Sequence, residues 1–562
     1  MQAWLLILPT FCRLQLNLVG AAAAGSGPIN LSFDKHSTPV RIGSPNPFGL
    51  SLEFVDFPSY MTAVVQTNQC LLNLEAANGV APPIRIGGTT QDRATYDPNQ
   101  KDPVLFVMPP GEKVAQKVTF GPAFIDLASR LKGATTLGLN RQQGDKNNAG
   151  LAALAAVQKM KNLYALELGN EPNCAARHFV VISFFSKQKR IEKLILGTHF
   201  ANSPTVLCLS VWDPQSPEVG GKPWTPEADA ASQIQWQQAI SQQVKLSSII
   251  QAGVFFSPAP FSVQNLAPKE GNSLQFVKSF GGHSYPQSAC GNSQTSLPDL
   301  VNHAKVVSFV KQYQPEVLAA KSVKKPYFFS ESNSAICGGS PTISATFGAG
   351  LWSMDFMFQS LLLGVDGVFF HLRNNGMLLS DKMYDDGSLR KLIAHFGICT
   401  GPYSFWNQTL VSPTYYGAYF STLALREATH ISTLETSNPD VVLYAFFRCQ
   451  RAVRLVVYHS GFLDGKAAAE PAPVTVKIDR LPSDVKKVRL LRLTAKNSFI
   501  GQGGPGAGQV QIGGGYFDNA TCKITAQPKY ETLTSTGNRL EFPIRKSQAV
   551  MIELDRQIPK KC

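Results

Sequence analysis

Two glutamates stand at the ends of apolar, strand-like runs of the sequence. Glu171 ends the run LYALELGNE (163–171), and Glu331 lies in PYFFSES (326–332). A lone carboxylate in such a place commonly caps a helix or lies on a solvated turn. Two carboxylates held together can protonate a leaving oxygen and attack the reacting carbon or activate water, as in glycoside hydrolysis. Glu171 and Glu331 gain this role only in a fold that brings them together.

Eight β-rich apolar runs alternate with helical patterns and predict such a fold. They are FGLSLEFVDF (48–57), PPIRIGG (82–88), ATTLGLN (134–140), LYALELGNE (163–171), IIQAGVFFS (249–257), SFGGHSYP (279–286), PYFFSES (326–332) and GVDGVFFHL (364–372). One intervening helical stretch begins with Thr225 as N-cap and Pro226 at its first position. This alternation predicts an α/β fold, a (β/α)8 barrel. A doubly wound open sheet is the alternative, but no glycine-rich dinucleotide fingerprint follows the first run.

The carboxyl ends of all barrel strands face one rim, where catalytic residues gather. Because Glu171 ends the fourth run and Glu331 the seventh, we expect their carboxylates to face each other. At close range, the charge of one raises the pKa of the other, which then stays protonated near neutral pH. Asn170 is a candidate to bind a sugar 2-hydroxyl. Tyr285 either donates to Glu331 or packs in the core, and we expect His283 to orient its neighbours.

Six motifs in this order resemble those of glycoside hydrolase family 79, the fungal-type β-glucuronidases with distant heparanase-like relatives. They are RIGGTTQDRATYDP, LELGNEP, GGHSYP, FFSESNS, LWSMDF and YYG. The resemblance spans residues 30–562 and implies a retaining mechanism on a barrel with an appended β-sandwich. It assigns Glu171 as the acid/base, Glu331 as the nucleophile and Tyr285 as the tyrosine beside the nucleophile.

The same resemblance implies that a uronate carboxylate is held by backbone amides and tyrosine hydroxyls. The matching positions are Gly338, Gly339 and Tyr415, with Tyr416 as an alternative to Tyr415. Uncharged donors can bind an anion without shifting the pKa values of the two catalytic acids as a cation would.

Three polar residues in or just after the first two runs are candidates to bind sugar hydroxyls. They are Glu53, in LSLEF, and Gln91 or Asp92, after RIGG. Buried glutamates are rarely unpaired. A structural salt bridge between Glu53 and Arg85 is therefore the competing interpretation.

The pattern changes after about residue 410. Short alternating segments, separated by glycine and proline clusters and without a helix-length pattern, predict a β-sandwich over 411–562. The catalytic barrel then covers 25–410. INLSF, within residues 30–45, is a candidate to add a strand to the sandwich.

The N-terminal residues predict secretion. Residues 1–24 contain a short apolar run followed by small residues, which is typical of a signal peptide, although no basic residue precedes the run. The asparagines of three sequons, Asn30, Asn407 and Asn519, are candidate glycosylation sites in a secreted protein. No later segment is long and apolar enough to predict a transmembrane helix.

The ten cysteines show no metal-ligand spacing, so the sequence predicts neither a metal nor another cofactor. Cys290 and Cys337 follow the sixth and seventh runs at the same rim. Because neighbouring strands bring those loops together, we expect these cysteines to form a disulfide. A bridge between Cys449 and Cys522 within the sandwich is a second candidate.

The formal charge of +14 raises the question of a polyanionic partner. Most of the excess lies in 411–562 and 175–212, without a basic patch interleaved with aromatic residues. We therefore expect solvated surface, with no nucleic-acid or membrane partner. The expected partner is a glucuronic-acid-bearing polysaccharide or proteoglycan glycan.

Two stretches depart from the family pattern. Residues 175–212 and 377–397 follow the fourth and eighth runs, at the rim of the predicted barrel. They are either lids over the site or retained intron sequence in a gene model. Their lack of periodicity favours the second interpretation.

The predicted function is a secreted, exo-acting retaining hydrolase that releases terminal β-linked glucuronic or 4-O-methylglucuronic acid from glycans. A heparanase-like endo enzyme would need a cleft lined with Lys and Arg, and the near-neutral barrel disfavours it. A catalytically silent glycan-binding protein is the alternative from another class. The presence of Glu171, Glu331 and Tyr285 disfavours that reading.

Overall fold

The computed structural model describes residues 27–109, 114–174, 212–256, 258–373, 401–436, 438–467, 471–501, 509–557 and 559. The predictions for 1–24, 175–211 and 377–397 lie outside these residues. No helix within them is long and apolar enough to cross a membrane.

The described strands alternate with helices in the first two thirds of the chain and follow one another in the last third. The strands are β1 (Ile29–Ser32), β2 (Val40–Arg41), β3 (Phe48–Glu53), β4 (Ile84–Gly87), β5 (Ala94–Tyr96), β6 (Val104–Val107), β7 (Lys117–Phe120), β8 (Thr135–Leu139), β9 (Leu163–Leu168), β10 (Ile250–Phe256), β11 (Val277–Ser284), β12 (Gln287–Ser288), β13 (Tyr327–Ser332), β14 (Ala335–Ile336), β15 (Gly367–Leu372), β16 (His430–Glu435), β17 (Val441–Arg448), β18 (Arg451–His459), β19 (Val474–Asp479), β20 (Lys487–Ala495), β21 (Val510–Ile512), β22 (Glu531–Thr534), β23 (Leu540–Ile544) and β24 (Gln548–Leu554). The α-helices are α1 (Phe57–Thr62), α2 (Gln66–Asn78), α3 (Pro122–Ser129), α4 (Lys146–Lys159), α5 (Pro226–Val244), α6 (Val263–Leu266), α7 (Leu297–Val301), α8 (His303–Lys311), α9 (Gln314–Ser322), α10 (Phe347–Leu363) and α11 (Pro413–Leu425). Short 3-10 turns cover Phe33–Lys35, Thr89–Arg93, Ala267–Lys269 and Gly271–Gln275.

Eight parallel strands close into a barrel, which confirms the predicted fold class. In chain order they are β3, β4, β8, β9, β10, β11, β13 and β15, and β15 closes the barrel by pairing with β3. Each corresponds to one of the eight apolar runs. These strands are buried almost throughout, which explains why the runs are apolar without alternation.

The helices around the barrel begin at local sequence signals. The Thr225 side chain accepts a 3.2 Å hydrogen bond from the Ala228 amide, and Pro226 occupies the first turn of α5. Ser, Asp and Thr side chains cap α6, α4 and α10 in the same way. Caps of this kind fix where each helix starts, and hence the length of the loop between strand and helix.

The C-terminal domain is a β-sandwich built around its own apolar core. One sheet has the order β2-β16-β17-β18-β24-β20-β21, with β22 beside β20, and the other has the order β1-β19-β23. The N-terminal segment contributes to both sheets, since β1 runs parallel to β19 and β2 antiparallel to β16. The two ends of the described chain are thus tied into one domain.

Helix α11 corrects the prediction that no helix follows residue 410. Barrel helices α2 and α10 and sandwich strands surround this helix. Its sequence, PTYYGAYFSTLAL, accordingly has almost no polar face. A helix buried on all sides lacks the amphipathic pattern from which helices are recognised. The barrel therefore extends to Leu425, beyond the predicted boundary at 410/411.

Two disulfides have both cysteines within the described residues. Cys290 and Cys337 are joined, with Cα atoms 5.4 Å apart, on the loops after β11 and β13. Cys522 pairs with Cys70 on α2, at a Cα separation of 5.5 Å, so the predicted Cys449–Cys522 bridge is wrong. The observed bond crosses between domains, across 452 residues of sequence, and spacing within the sandwich could not reveal it.

Candidate active site

Glu171 is presented by a tight turn at the end of β9. Gly169 and Glu171 both adopt left-handed backbone conformations, with φ of 76° and 53°. That conformation is unfavourable for a glutamate and persists only when its surroundings hold it. The amide of Glu171 donates to the Val254 carbonyl at 3.1 Å, and the amide of Asn170 to Oδ2 of Asp92 at 2.6 Å.

Asp92 anchors this turn and is not presented to a substrate. Besides the Asn170 amide, it accepts hydrogen bonds from the Arg141 amide and the Trp212 indole at 3.0 and 2.8 Å. Burial raises the pKa of Asp92 to about 6, although these donors act in the opposite direction. The role of Asp92 as a candidate for binding sugar hydroxyls is therefore wrong.

The position of Trp212 shows that the segment 175–212, interpreted above as a departure from the family pattern, was drawn too long. Its buried indole packs against the Arg141 guanidinium, 5.2 Å from the ring centroid, and against the ring of Trp224. At least the end of the 175–212 stretch is therefore part of the folded barrel rim.

The two predicted catalytic glutamates meet at the barrel mouth. Glu171 and Glu331 are only 6% and 7% exposed. One oxygen of each, together with Nδ1 of His283, lies within 4.8 Å of the others. His283 Nδ1 is 2.8 Å from Oε1 of Glu171 and 4.0 Å from Oε1 of Glu331, so it orients the pair from one side.

Glu331 is surrounded by groups that favour its ionised form. The Tyr285 hydroxyl donates to Oε1 at 2.7 Å, and Nη1 of Arg85 donates to Oε2 at 2.5 Å. Burial opposes ionisation, but His371, His283 and Arg85 together hold the pKa of Glu331 far below its usual range. These contacts thus hold Glu331 as a carboxylate.

Arg85 organises the base of the site. This cation, on β4, donates to Glu167 at 2.6 Å and to Oδ1 of Asn170 at 2.8 Å. With Glu331, it therefore contacts residues from β9 and β13 and the turn that carries Glu171. Its bond to Asn170 leaves the Nδ2 group of Asn170 without a partner among the described residues, available for a sugar hydroxyl.

The same network corrects two predictions for β3 and β4. Glu53 does not pair with Arg85; it accepts from the amide and hydroxyl of Thr90, at 2.8 and 2.5 Å, and lies 3.4 Å from Nε2 of His371. Gln91 does not face the mouth. Its Oε1 lies 3.5 Å from Nη2 of Arg85, in the barrel interior, so its predicted sugar contact is wrong.

Glu53 remains at the edge of the site as an ionised group. Burial acts to raise the pKa of Glu53, but the hydrogen bond from His371 and the charge of Arg373 lower it overall. Nδ1 of His371 also lies 2.9 Å from the Ser51 hydroxyl, a contact that links β3 to β15.

The predicted glycine pair lies on the rim loop after β13. Gly338 and Gly339 have φ of 84° and 85°, a conformation that glycine adopts at little cost. Neither amide has an acceptor among the described residues. The Cys337–Cys290 disulfide braces one side of the pair, and a Cβ added to Gly339 would lie 3.0 Å from Cβ of Tyr403.

Tyr415 lies away from the site, so its predicted contact with a uronate is wrong. Its buried hydroxyl donates to the Cys70 carbonyl at 2.7 Å, and its ring packs on Phe517 between barrel and sandwich. The alternative, Tyr416, lies in the same interface and accepts from the Phe517 amide at 2.9 Å. Both tyrosines are on α11, the helix missing from the prediction.

Tyr403 is a second tyrosine that the structure places at the mouth. It packs beside Tyr285 and the Cys290–Cys337 bridge, and its ring centroid is 5.9 Å from that of His371. Burial raises the pKa of Tyr403 well above its usual value. The charge of Arg373 lowers this pKa, and the charge of Glu331 raises it further. Its sequence, GPYSFW (401–406), lies shortly after the 377–397 departure, where the family pattern is broken.

Two cations of the site, Arg85 and Arg373, were not identified from the sequence, although the sequence contains a partial signal for Arg85. Arg85 is the single charge in an otherwise apolar strand, which signals buried acidic partners, but sequence spacing does not identify Glu331 as one of them. Arg373 directly follows β15; burial acts to lower its pKa, and the nearby carboxylates Glu53 and Asp56 raise it overall.

The predicted sequons differ in accessibility. Asn30 is exposed on β1, whereas Asn519 is half-buried and accepts from the Val411 amide at 3.0 Å. Asn407 is 3% exposed, and its Oδ1 accepts from Thr409 and Leu410 within the loop before α11. This burial disfavours a glycan on Asn407, and glycosylation at the three sequons stays a prediction.

The fold and site define a (β/α)8 barrel with paired glutamates at the ends of its fourth and seventh strands, a catalytic arrangement of glycoside hydrolases. Residues 443–551 match the family model of the glycosyl hydrolase family 79 C-terminal beta domain. A 4-O-α-L-rhamnosyl-β-D-glucuronidase from Fusarium oxysporum, solved with Rha-GlcA, is 31% identical. That alignment covers 94% of this chain and 100% of the other, with a TM-score of 0.77. The chain therefore belongs to glycoside hydrolase family 79.

Two curated relatives are more distant. The β-glucuronidase of Neurospora crassa is 24% identical over 390 residues, which cover 64% of this chain and 61% of the relative. That of Aspergillus niger is 25% identical over 354 residues, which cover 59% of each chain. The chain thus spans about three fifths of the length of both relatives.

Proposed function

We propose that this protein is a retaining β-glucuronidase that releases terminal β-linked glucuronic or 4-O-methylglucuronic acid from glycans. The approach of Glu171 and Glu331 carries the proposal. One carboxylate oxygen of each glutamate lies within 4.8 Å of the other, which is shorter than the separation of about 6.5–9.5 Å typical of inverting enzymes. The short separation instead supports direct attack by one carboxylate.

Glu331, held ionised by Arg85 and Tyr285, attacks the anomeric carbon. Glu171 donates its proton to the glycosidic oxygen as that bond breaks, and the aglycone departs as an alcohol. Glu171, now a carboxylate, takes a proton from water, and the water oxygen displaces Glu331 from the anomeric carbon. The product keeps the β configuration, and both glutamates regain their starting protonation.

The uronate carboxylate is assigned to the two rim amides of Gly338 and Gly339 and to the Tyr403 hydroxyl. The two amides lie on the rim loop after β13, Tyr403 packs beside Tyr285 and His371, and none of these groups carries a charge. They supply hydrogen-bond donors that a neutral hydroxymethyl group would leave poorly paired, which costs about 1–3 kcal/mol for each donor. Selection for the carboxylate follows from this cost.

The Fusarium relative makes a second activity worth testing. That relative is a 4-O-α-L-rhamnosyl-β-D-glucuronidase, and it was solved with Rha-GlcA. A site of this kind would release a 4-O-rhamnosylated glucuronic acid instead of the unsubstituted sugar. Endo cleavage within a glucuronan chain, as expected of a heparanase-like enzyme, is distinguished by the size of the product.

Secretion is part of the proposal. The Cys70–Cys522 and Cys290–Cys337 bonds support an oxidising compartment, since disulfides rarely persist in a reducing cytosol. Expression of the full chain with secretion into the medium, followed by N-terminal sequencing, tests this part separately.

The deciding experiment compares kcat/KM for p-nitrophenyl β-glucuronide and p-nitrophenyl β-glucoside. We expect a preference for the glucuronide on the order of a thousandfold, because two or three donors are left unpaired by the glucoside. NMR of the first-formed product should show retention. Comparable rates on the two sugars, or an inverted product, would refute the proposal. Glu331→Gln is the inactive control.

A further inference from the structure

A groove at one end of the C-terminal sandwich is separate from the site described above. It has a volume of about 600 Å³, within the range of small-ligand sites. Four cationic residues, Arg492, Lys496, Arg545 and Lys546, line it, and its described lining contains no acidic residue. A groove with this lining favours an anionic occupant.

Not all of this charge is available to a ligand. Arg492 is neutralised by Glu531, with Nε–Oε1 and Nη2–Oε2 distances of 2.6 and 3.1 Å. Lys496 and Lys546 are exposed, and neither forms an ion pair with a carboxylate among the described residues. The two lysines therefore supply positive charge on the groove that no carboxylate of the described residues pairs with.

The groove also carries neutral hydrogen-bonding groups. Gln509 is exposed on its wall, whereas Gln548 is 6% exposed and accepts from the Arg545 amide at 3.0 Å. Amide side chains can both donate to and accept from sugar hydroxyls. The lining thus suits a hydroxylated anion better than a bare inorganic ion.

Hydrogen bonds connect this groove to the catalytic face of the barrel. Ser547, in the groove, shares a 2.7 Å hydrogen bond with the Ser498 hydroxyl, and the Ser498 carbonyl accepts from the Gly348 amide at 2.8 Å. Gly348 lies in the first turn of α10, which follows the rim loop of Gly338 and Gly339. Because barrel helices begin at the rim where the strands end, the groove adjoins the catalytic face.

We propose that this groove is a second, non-catalytic site for a uronate-bearing segment of the glycan. Lys496 and Lys546 bind carboxylates, and the amide side chains bind hydroxyls. The identity of the polymer rests on the proposed function, but the anionic character of the site does not. A chain held here while its terminus enters the barrel gains apparent affinity through the second contact.

The test measures binding of a glucuronate-bearing arabinogalactan by calorimetry, in a Glu331→Gln background that prevents hydrolysis. K496Q/K546Q should weaken binding about three- to tenfold at low salt, the range expected for two exposed charges. The matched control is K486Q/K487Q, at the opposite end of β20, which should bind as the parent does. Added salt should reduce the difference.

A second ligand tests the role of the carboxylates without relying on substitutions in the protein. The same arabinogalactan with its carboxylates reduced to hydroxymethyl groups should bind the parent more weakly, and K496Q/K546Q should lower its affinity no further. Equal affinities of parent and K496Q/K546Q for the acidic polymer would overturn the proposal. So would equal affinity of the parent for the acidic and reduced polymers.

Failure of the groove proposal can be distinguished from failure of the proposed function. The ratio of kcat/KM for arabinogalactan to that for p-nitrophenyl β-glucuronide should fall in K496Q/K546Q and stay constant in K486Q/K487Q. Failure of the protein to hydrolyse the aryl glucuronide would refute the proposed function, whereas the calorimetric comparison would still test the groove.

Discussion

The Tyr285 hydroxyl donates a 2.7 Å hydrogen bond to Oε1 of Glu331. Arg85 occupies the other oxygen of the same carboxylate, so the two residues together fix its orientation. In the proposed mechanism, a nucleophile held in this way would attack from one direction and, after glycosylation, would leave as a stabilised carboxylate.

Tyr285→Phe should lower kcat/KM for p-nitrophenyl β-glucuronide about tenfold or more, because a hydrogen bond to a charged group contributes about 1.5–3 kcal/mol. Breakdown of the glycosyl-enzyme should slow as well, and stopped-flow measurements should show a burst of p-nitrophenol. Tyr419→Phe, in the interface between barrel and sandwich, is the matched control. Unchanged kinetics of Tyr285→Phe would contradict its assigned role.

Tyr403→Phe tests which tyrosine recognises the uronate. It should lower kcat/KM for the glucuronide about tenfold and leave the slow hydrolysis of the glucoside nearly unchanged. Tyr415→Phe removes the bond to the Cys70 carbonyl and should cost about 1 kcal/mol of stability, without changing the ratio of the two rates. The opposite pattern, with selectivity lost in Tyr415→Phe, would contradict this assignment.

Asp92→Asn should displace the turn that carries Glu171. In the wild type, three N–H groups donate to the two carboxylate oxygens of Asp92. Asparagine would replace one of these oxygens with an NH2 group, which cannot accept their hydrogen bonds. We expect kcat to fall about tenfold or more for p-nitrophenyl β-glucuronide, and less for a dinitrophenyl glucuronide, which needs little protonation. Asp126→Asn, on the surface beside Lys159, is the control. Equal losses on both substrates would argue for a general folding defect.

The ion pairs of His303 should contribute to the stability of the folded protein in a pH-dependent way. Its Nδ1 lies 2.9 Å from Asp355 on α10, and its Nε2 lies 3.3 Å from Glu435 in the sandwich. Burial alone would lower the pKa of His303, but Asp355 and Glu435 raise it to about 10. Because the folded pKa exceeds the unfolded value of 6.5, this contribution is fully present below pH 6.5. It is lost as the pH rises through about 10.

The measurement is the free energy of unfolding in urea at pH 6 and pH 10, for wild type and His303→Gln. We expect the difference between the two proteins to be about 2–4 kcal/mol at pH 6 and to shrink toward pH 10. Taking the difference removes the shared titration of lysines and tyrosines. A difference that does not change with pH would show that the imidazolium does not stabilise the domain interface.

Much of the architecture is determined by local sequence. Each barrel strand is a short apolar run with both faces buried, and a cap such as Thr225 marks the start of a helix. The positions of Glu171 and Glu331 at strand ends follow directly from those runs. Once a closed barrel is inferred, its geometry places both glutamates on one rim, so the candidate pair could be identified from the chain alone.

The partners of these glutamates were decided by tertiary structure. Arg85 meets Glu331 across 246 residues of sequence, and Cys70 meets Cys522 across 452. Contacts of that separation leave no periodicity in the sequence. Tyr403 and Tyr415 are both aromatic residues near the domain boundary, and only the path of α11 sends one to the mouth and the other to the interface. Sequence patterns record which face of an element is buried, but not which distant residue it is buried against.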